Sequence, residues 1–288
     1  MAWSTTDDAG DFLSAAGPFL RARPAENTLL LTIAHTVVAR GRRVYGDTDP
    51  RFGWWTAEDG TVAGAFLQTP PHPVLLTRTP DEAVVALAAT LAADGGPLPG
   101  VNAGDDAARA FAAEWRKLTG AEAHVGRRSR LYRLGDLAAP EPAVPGRPRA
   151  AVESDRSLLL SWYEEFGREV GEVGHHREAV DDRLSYGGLT LWEVDGTPVS
   201  MAGATRPIAG MVRIAPVYTP VELRSRGYAG AVTAAVSRAA VEAGAEVVVL
   251  FTDLANPTSN ALYQRSGYRP VEDRTVLVFD GASGTPVV

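Results

Sequence analysis

The chain has 288 residues, 45% of them hydrophobic, a formal net charge of −7 and no cysteine. That is material for about two packed domains, and it excludes disulfides, thiolate metal sites and a cysteine nucleophile. A nucleic-acid partner is not expected either, because the basic clusters stop at Arg40-Gly-Arg-Arg43 and Arg127-Arg128. The opening Met-Ala-Trp-Ser-Thr-Thr-Asp-Asp lacks the basic and apolar regions of a signal peptide. No apolar run approaches the roughly 20 residues of a membrane helix. The expectation is a soluble, cytoplasmic protein with no membrane partner.

In chain order, Asp11 to Arg23 carries Phe12, Leu13, Ala16, Phe19 and Leu20 at helical spacing, and Glu26 to Arg40 repeats the pattern. Gly53 to Thr56 and Thr61 to Leu67 flank Asp59-Gly60 and read as a hairpin. A short strand at Val74–Thr77, a helix at Asp81–Ala92, a strand remnant at Pro99–Asn102, a helix at Asp105–Leu118 and a strand at Leu131–Leu134 complete the first half. Pro140, Pro142, Pro145 and Pro148 then crowd one stretch, and proline fixes φ while withholding a backbone donor. Residues 139–148 are therefore expected to be a linker between domains at 1–138 and 149–288.

Beyond it the order recurs: helices at Ser157–Glu169 and Arg177–Leu184, a hairpin around Asp195-Gly196, and a strand at Met211–Val217. Next comes the stretch through Glu222-Leu-Arg-Ser-Arg-Gly-Tyr-Ala-Gly230, and then a helix. A strand, a glycine-bearing arginine loop and a helix form a device for holding phosphate. Successive backbone N–H groups point outward there, and the helix dipole adds about half a positive charge. Downstream, Val247–Phe251 reads as a buried strand ending in Thr252-Asp253. Asn256-Pro257 suits the start of a helix, and Gly267 suits its end. The repeated order, at about 140 residues a pass, suggests a duplicated α/β fold.

The Arg224-x-x-Gly227-x-Ala229 spacing, followed by Asn256, Leu262-Tyr263, Gly267 and an aromatic, resembles the acyl-CoA site of the GNAT acetyltransferase superfamily. The resemblance covers about Arg147 to Phe279 well and the first half faintly. It implies two GNAT-like domains, each a mixed, mostly antiparallel sheet flanked by helices, the first a degenerate copy. It implies acetyl-CoA as cosubstrate, held by Ile214, Val217, Tyr218, Arg224, Ser225, Arg226, Gly227, Tyr228, Ala229, Gly230 and Asn256. It implies direct transfer to a primary amine of a small molecule, with Tyr263 as the acid that protonates the leaving thiolate. The base is assigned to Asp253, at the carboxyl end of its strand. Glu164, Glu165, Glu169 and Glu172, among Trp162, Tyr163 and Phe166, would lie over the acceptor. His175-His176 reads as loop, and no metal is expected. In the first half, Asp81 and Glu82 stand where the second has its arginine–glycine loop and would repel a pyrophosphate. The alternative is an acyl-CoA sensor without catalysis. Tandem halves also resemble mycothiol synthase and the peptidoglycan aminoacyl transferases, although a tRNA substrate suits the charge poorly.

Overall fold

Each half of the chain opens on a short strand that its residues do not announce. In the first half the order is β1 (Ala2–Thr6), α1 (Ala9–Ala22), α2 (Thr28–Arg40), β2 (Arg51–Thr56), β3 (Val62–Gln68), β4 (Val74–Leu76), α3 (Asp81–Ala93), β5 (Gly100–Gly104), α4 (Asp105–Thr119) and β6 (Ala123–Leu134). The second half repeats it as β7 (Arg147–Ala150), α5 (Arg156–Val170), α6 (His176–Ser185), β8 (Leu189–Val194), β9 (Thr197–Ala204), β10 (Met211–Tyr218), α7 (Tyr228–Glu242), β11 (Val247–Asp253), α8 (Pro257–Arg265) and β12 (Tyr268–Phe279). The structure, a computed structural model, describes residues 1–96, 98–171 and 176–280. The expectations for Glu172 and His175 lie outside the described residues.

Local chemistry explains the elements. The side chain of Asp8 caps α1 by accepting from the N–H groups of Gly10 and Asp11, at 2.7 and 2.9 Å. In α4, Ala108, Phe111, Ala112 and Trp115 are buried along one stripe. Asp105 and Asp106 sit at the positive end of the helix and Arg116 and Lys117 at the negative end. The β8–β9 hairpin turns on Asp195 and Gly196, both at positive φ, the geometry that matches strand twist in a two-residue turn.

The chain divides into two compact units, the first Met1–Arg130 with the segment from Glu272 onward, the second Leu131–Val271. In the first, β1, β2, β3, β4 and β5 lie side by side, and β5 is followed by the Arg274–Val278 part of β12. The β4–β5 pair is parallel and its neighbours are antiparallel. Phe66, Val74, Leu76, Leu87, Phe111, Trp115 and Phe279 form its core. The guanidinium of Arg274, only 3% exposed, donates from Nη2 to the carbonyls of Leu76 and Asn102 (2.9 and 2.7 Å) and from Nε to Asn102 Oδ1 (3.0 Å). It lies where the β4–β5 ladder stops, past Leu75 and Asn102.

In the second unit the order is β7, β8, β9, β10, β11 and then β6. Here β10–β11 is the parallel pair, and the β7–β8–β9–β10 run is antiparallel. One core holds Val212, Ile214, Val232, Val236, Val248, Leu250 and Tyr263, joining α7 and α8 to the strands. A second holds Leu159, Trp162, Tyr163, Val180, Leu191, Met201 and Tyr218, joining α5 and α6 to them.

These units differ from domains at 1–138 and 149–288. The segment after Arg130 is tied into the second unit: Gly135 N–H donates to Gly267 O (3.0 Å) and Ala138 N–H to Ser266 O (3.2 Å). Tyr132 donates to Asn260 Oδ1 (2.9 Å) and accepts from Gln264 (3.0 Å). Arg274 anchors the last strand in the first unit. The expected linker also ends inside β7, and Pro145 O accepts from the Trp192 indole at 2.8 Å.

Candidate functional site

β10 and β11 pair only from Met211–Arg213 against Val247–Val249. From Ile214 to Tyr218 the β11 edge of β10 has no ladder partner. On its other edge the register to β9 shifts between Ile214 and Val217, so Ala215 and Pro216 together face Gly203. Proline withholds a ladder donor, and a bulge twists the strand away from its neighbour. The carboxyl ends of two parallel strands therefore open into a splay beside Val217 and Tyr218.

Past the splay, a short 3₁₀ turn (Val221–Leu223) leads to Arg224, Ser225, Arg226 and Gly227, and α7 starts at Tyr228. Gly227 sits at φ 83°, and a Cβ there would lie 2.8 Å from Val144 Cγ2. Both facts require glycine. No side chain caps this helix. Among the described residues, the N–H groups of Ser225, Arg226, Gly227 and Tyr228 enter no hydrogen bond. Ser225, Arg226 and Gly227 are exposed and Tyr228 is buried. Uncovered N–H groups at a helix start are the part of a fold that takes an anion. Gly230 comes next in the first turn, and a Cβ there would meet only the Leu262 side chain, at 3.8 Å. That contact brings α8 against the first turn of α7.

The side chain of Arg224 is committed elsewhere. Its Nε donates to Thr219 O (2.9 Å), Nη2 pairs with Glu169 of α5, and its own N–H donates to Val221 O (3.3 Å). It braces the turn. Tyr218 likewise turns its ring into the α5 side, 6.2 Å from Trp162, and donates to Glu165 Oε2 at 2.6 Å. Arg226 Nη2 reaches Glu222 O at 3.4 Å.

On α8, Asn256 caps the helix, its Oδ1 accepting from Ser259 N–H at 3.0 Å. Asp253 closes β11 at a half-buried position, and its Oδ1 accepts from Ala255 N–H at 2.7 Å. Tyr263 is 8% exposed, its ring 6.4 Å from Tyr132 and 6.1 Å from Tyr268. Its hydroxyl makes no hydrogen bond among the described residues. Burial pushes that phenol up to about 12, so it stays protonated at neutral pH. Tyr268 beside it is bonded to Ser237 Oγ at 2.7 Å.

The other acidic residues separate. Glu193 pairs with Arg149 on the β7–β8 edge, Glu222 is exposed, and Glu164 is exposed. His176 opens α6 with its ring edge-on to Tyr163 at 6.4 Å. Among the described residues no group of three His, Asp or Glu side chains is placed to hold a metal, and no helix is long and apolar enough to cross a membrane.

In the first unit α3 starts at Asp81 behind Pro80, with both Asp81 and Glu82 exposed in its first turn. The Arg274 guanidinium bonds to carbonyls of both β4 and β5 where their ladder ends. Neither Arg274 nor Tyr132 has a signal in the sequence, because each acts through partners about 130 to 200 residues away.

The acetyltransferase (GNAT) family profile matches residues 156–268. Among curated proteins nothing matches the chain. A GCN5-related N-acetyltransferase from Sphaerobacter thermophilus is similar in structure at TM-score 0.65 and 17% identity, over 99% of this chain and 98% of that one. An acetyltransferase of the GNAT family from Colwellia psychrerythraea gives 0.59 and 10%, over 97% and 99%. A tandem GNAT protein from the clavulanic acid biosynthesis pathway gives 0.58 and 14%, over 98% and 99%. At these identities the solved structures speak to the fold, which is a tandem GNAT fold.

Proposed function

We propose, from the match of residues 156–268 to the acetyltransferase (GNAT) family, that this protein moves an acetyl group from acetyl-CoA to a primary amine of a small molecule. Transfer would be by direct attack in the second unit. One observation carries the reading: the uncovered N–H groups of Ser225 to Tyr228, the β10–β11 splay and the free Tyr263 hydroxyl lie on consecutive, touching elements. The donor's pyrophosphate would rest on the N–H groups from Ser225 to Gly230, with Arg224 bracing the turn beneath them. Its pantetheine arm would follow the unpaired edge of Ile214 to Tyr218, whose N–H groups would also polarise the thioester carbonyl. Asn256, at the start of α8, would border that arm.

The amine nitrogen would attack the carbonyl carbon as the carbon–sulfur bond breaks. Tyr263 would give its proton to the departing thiolate, and Asp253, with Oδ2 unbonded, would take the proton the amine loses. The first unit would hold no donor, since Arg274 bridges β4 and β5 where their ladder ends and two carboxylates stand at its helix start.

The test is thiol release by the purified full chain with acetyl-CoA and a panel of primary amines, with calorimetry of acetyl-CoA alone. The expected result is one acetyl-CoA per chain and amine-dependent thiol release. Two equivalent sites, or no binding at all, would overturn it. Binding without thiol release from any amine would favour a sensor instead.

A further inference from the structure

Glu165 and Glu169 lie four residues apart on α5, so their carboxylates share one face of the helix and repel each other unless partnered. Each has a partner, and both partners come from the segment between the splay and the candidate anion site. Tyr218, the last residue of β10, donates to Glu165 at 2.6 Å, and Arg224, in the turn before α7, pairs with Glu169. The two bonds differ in weight. The Arg224–Glu169 pair is about two-fifths exposed on both sides, where ion pairs contribute little. The Tyr218 ring is 4% exposed and packs beside Trp162, and a short bond from a phenol to a carboxylate in such surroundings is a strong one.

The stretch that Tyr218 terminates has lost its β11 ladder and carries a bulge on its β9 edge. On the β9 edge the ladder resumes at Val217–Ala202 and Tyr218–Met201, and a set of side-chain bonds adds to it. Ser200 Oγ donates to Tyr218 O (2.9 Å) and is bonded to Thr219 Oγ1 (2.8 Å), and the Tyr218 hydroxyl reaches Glu165. Ser200 belongs to β9, within the sheet, so of these bonds the one to Glu165 reaches α5, beside the ring contact with Trp162 and the exposed Arg224–Glu169 pair. Among the described residues no cation pairs with it, and its other oxygen has only a 3.3 Å contact from Ser161 on the same helix. Burial first, and then the bond to Glu165, raise the Tyr218 pKa, so the phenol stays a donor at neutral pH.

We propose that Glu165 is a positioning residue of the transfer site, holding the end of β10 that β11 leaves unpaired against α5 through Tyr218 and thereby keeping the splay open for the donor arm. This rests on the reading of the splay as the acyl-donor site. An amide oxygen at the same place keeps the bond without the charge, so it should preserve most of the positioning.

The experiment is calorimetric acetyl-CoA binding, with melting temperature, for full-length wild type, Glu165→Gln, Glu165→Ala, Tyr218→Phe and the Ala/Phe double variant. Glu165→Ala and Tyr218→Phe should each weaken binding about tenfold, the scale of one net hydrogen bond. The double variant should be no worse than either single one, and Glu165→Gln should stay within about threefold of wild type. Additive losses, or a glutamine variant as weak as the alanine one, overturn the proposal. So does a melting temperature that falls while affinity is unchanged. If Glu165→Ala fails to fold, Glu165→Gln against Tyr218→Phe decides the matter. A wild type that binds no acetyl-CoA defeats the functional reading itself and this inference with it.

Discussion

Replacing Tyr263 by phenylalanine removes one oxygen and nothing else that the fold uses. The ring is 8% exposed between Tyr132 and Tyr268, and those ring contacts survive the change. The hydroxyl has no hydrogen-bond partner among the described residues, so its loss strands no buried group and should leave the melting temperature within a few degrees, about 1 kcal/mol or less. Acetyl-CoA affinity should change little for the same reason. If the phenol gives its proton to the leaving thiolate, turnover should fall about 100- to 10,000-fold, or roughly 3 to 5 kcal/mol of barrier. The assay is single-turnover thiol release, because slow product departure would hide a lost acid. A packing role predicts an altered Michaelis constant with turnover nearly intact. Turnover within about threefold of wild type, in a variant that still binds acetyl-CoA, refutes the acid role.

Gly227→Glu should abolish acetyl-CoA binding in calorimetry, because it puts a carboxylate where phosphate would rest and a Cβ 2.8 Å from Val144 at φ 83°; unchanged affinity in a folded variant removes this loop from the site. Gly230→Ala should raise the melting temperature slightly, by about 0.5 to 1 kcal/mol of helix stability, since its Cβ meets only Leu262 at 3.8 Å. If the backbone there approaches a ligand, the same variant should weaken acetyl-CoA binding. A fragment of residues 149–288 should show no cooperative melt, whereas residues 131–271 should, because Tyr132, Gly135 and Ala138 bond to Asn260, Ser266 and Gly267; equal melts would refute the unit boundaries. Tyr163 and Tyr263, both raised by burial to about 12 from an ordinary 10.0, favour folding fully below about pH 10. That contribution is lost as pH climbs toward about 12, and chemical denaturation across this range should show stability falling; a flat profile would mean the phenols ionise freely in the fold.

What could be read in the sequence divides by the range of the interactions involved. Helices such as α4, with its buried stripe and charged ends, need only neighbours a few residues away, and they stand where spacing placed them. So do the Gly227 turn, the Asn256 cap and the Gly267 stop, each dictated by backbone geometry at one position. β1 and β7 were not legible because an edge strand pairs on one side and tolerates polar residues and proline, as Arg147-Pro148-Arg149 shows. The first residues of β6 hid for a similar reason: Arg127, Arg128 and Arg130 give no apolar alternation, and Arg130 is stabilised by Asp273, 143 residues later.

The candidate site follows the same rule. Backbone features of the turn before α7 are local and were readable, but where its side chains go was not. Nothing in Arg224's own sequence says that its guanidinium will serve Thr219 and Glu169 while the N–H groups of the next residues stay uncovered. Nor does Tyr218 show that its ring will join α5. The first half makes the contrast plain. Its acidic helix start was visible in Asp81-Glu82, but the guanidinium of residue 274, seated on the Leu76 and Asn102 carbonyls, was not. That buried arginine makes four hydrogen bonds, to Leu76, Asn102 and Glu272. The place of that guanidinium is therefore set by the last strand's register on β5.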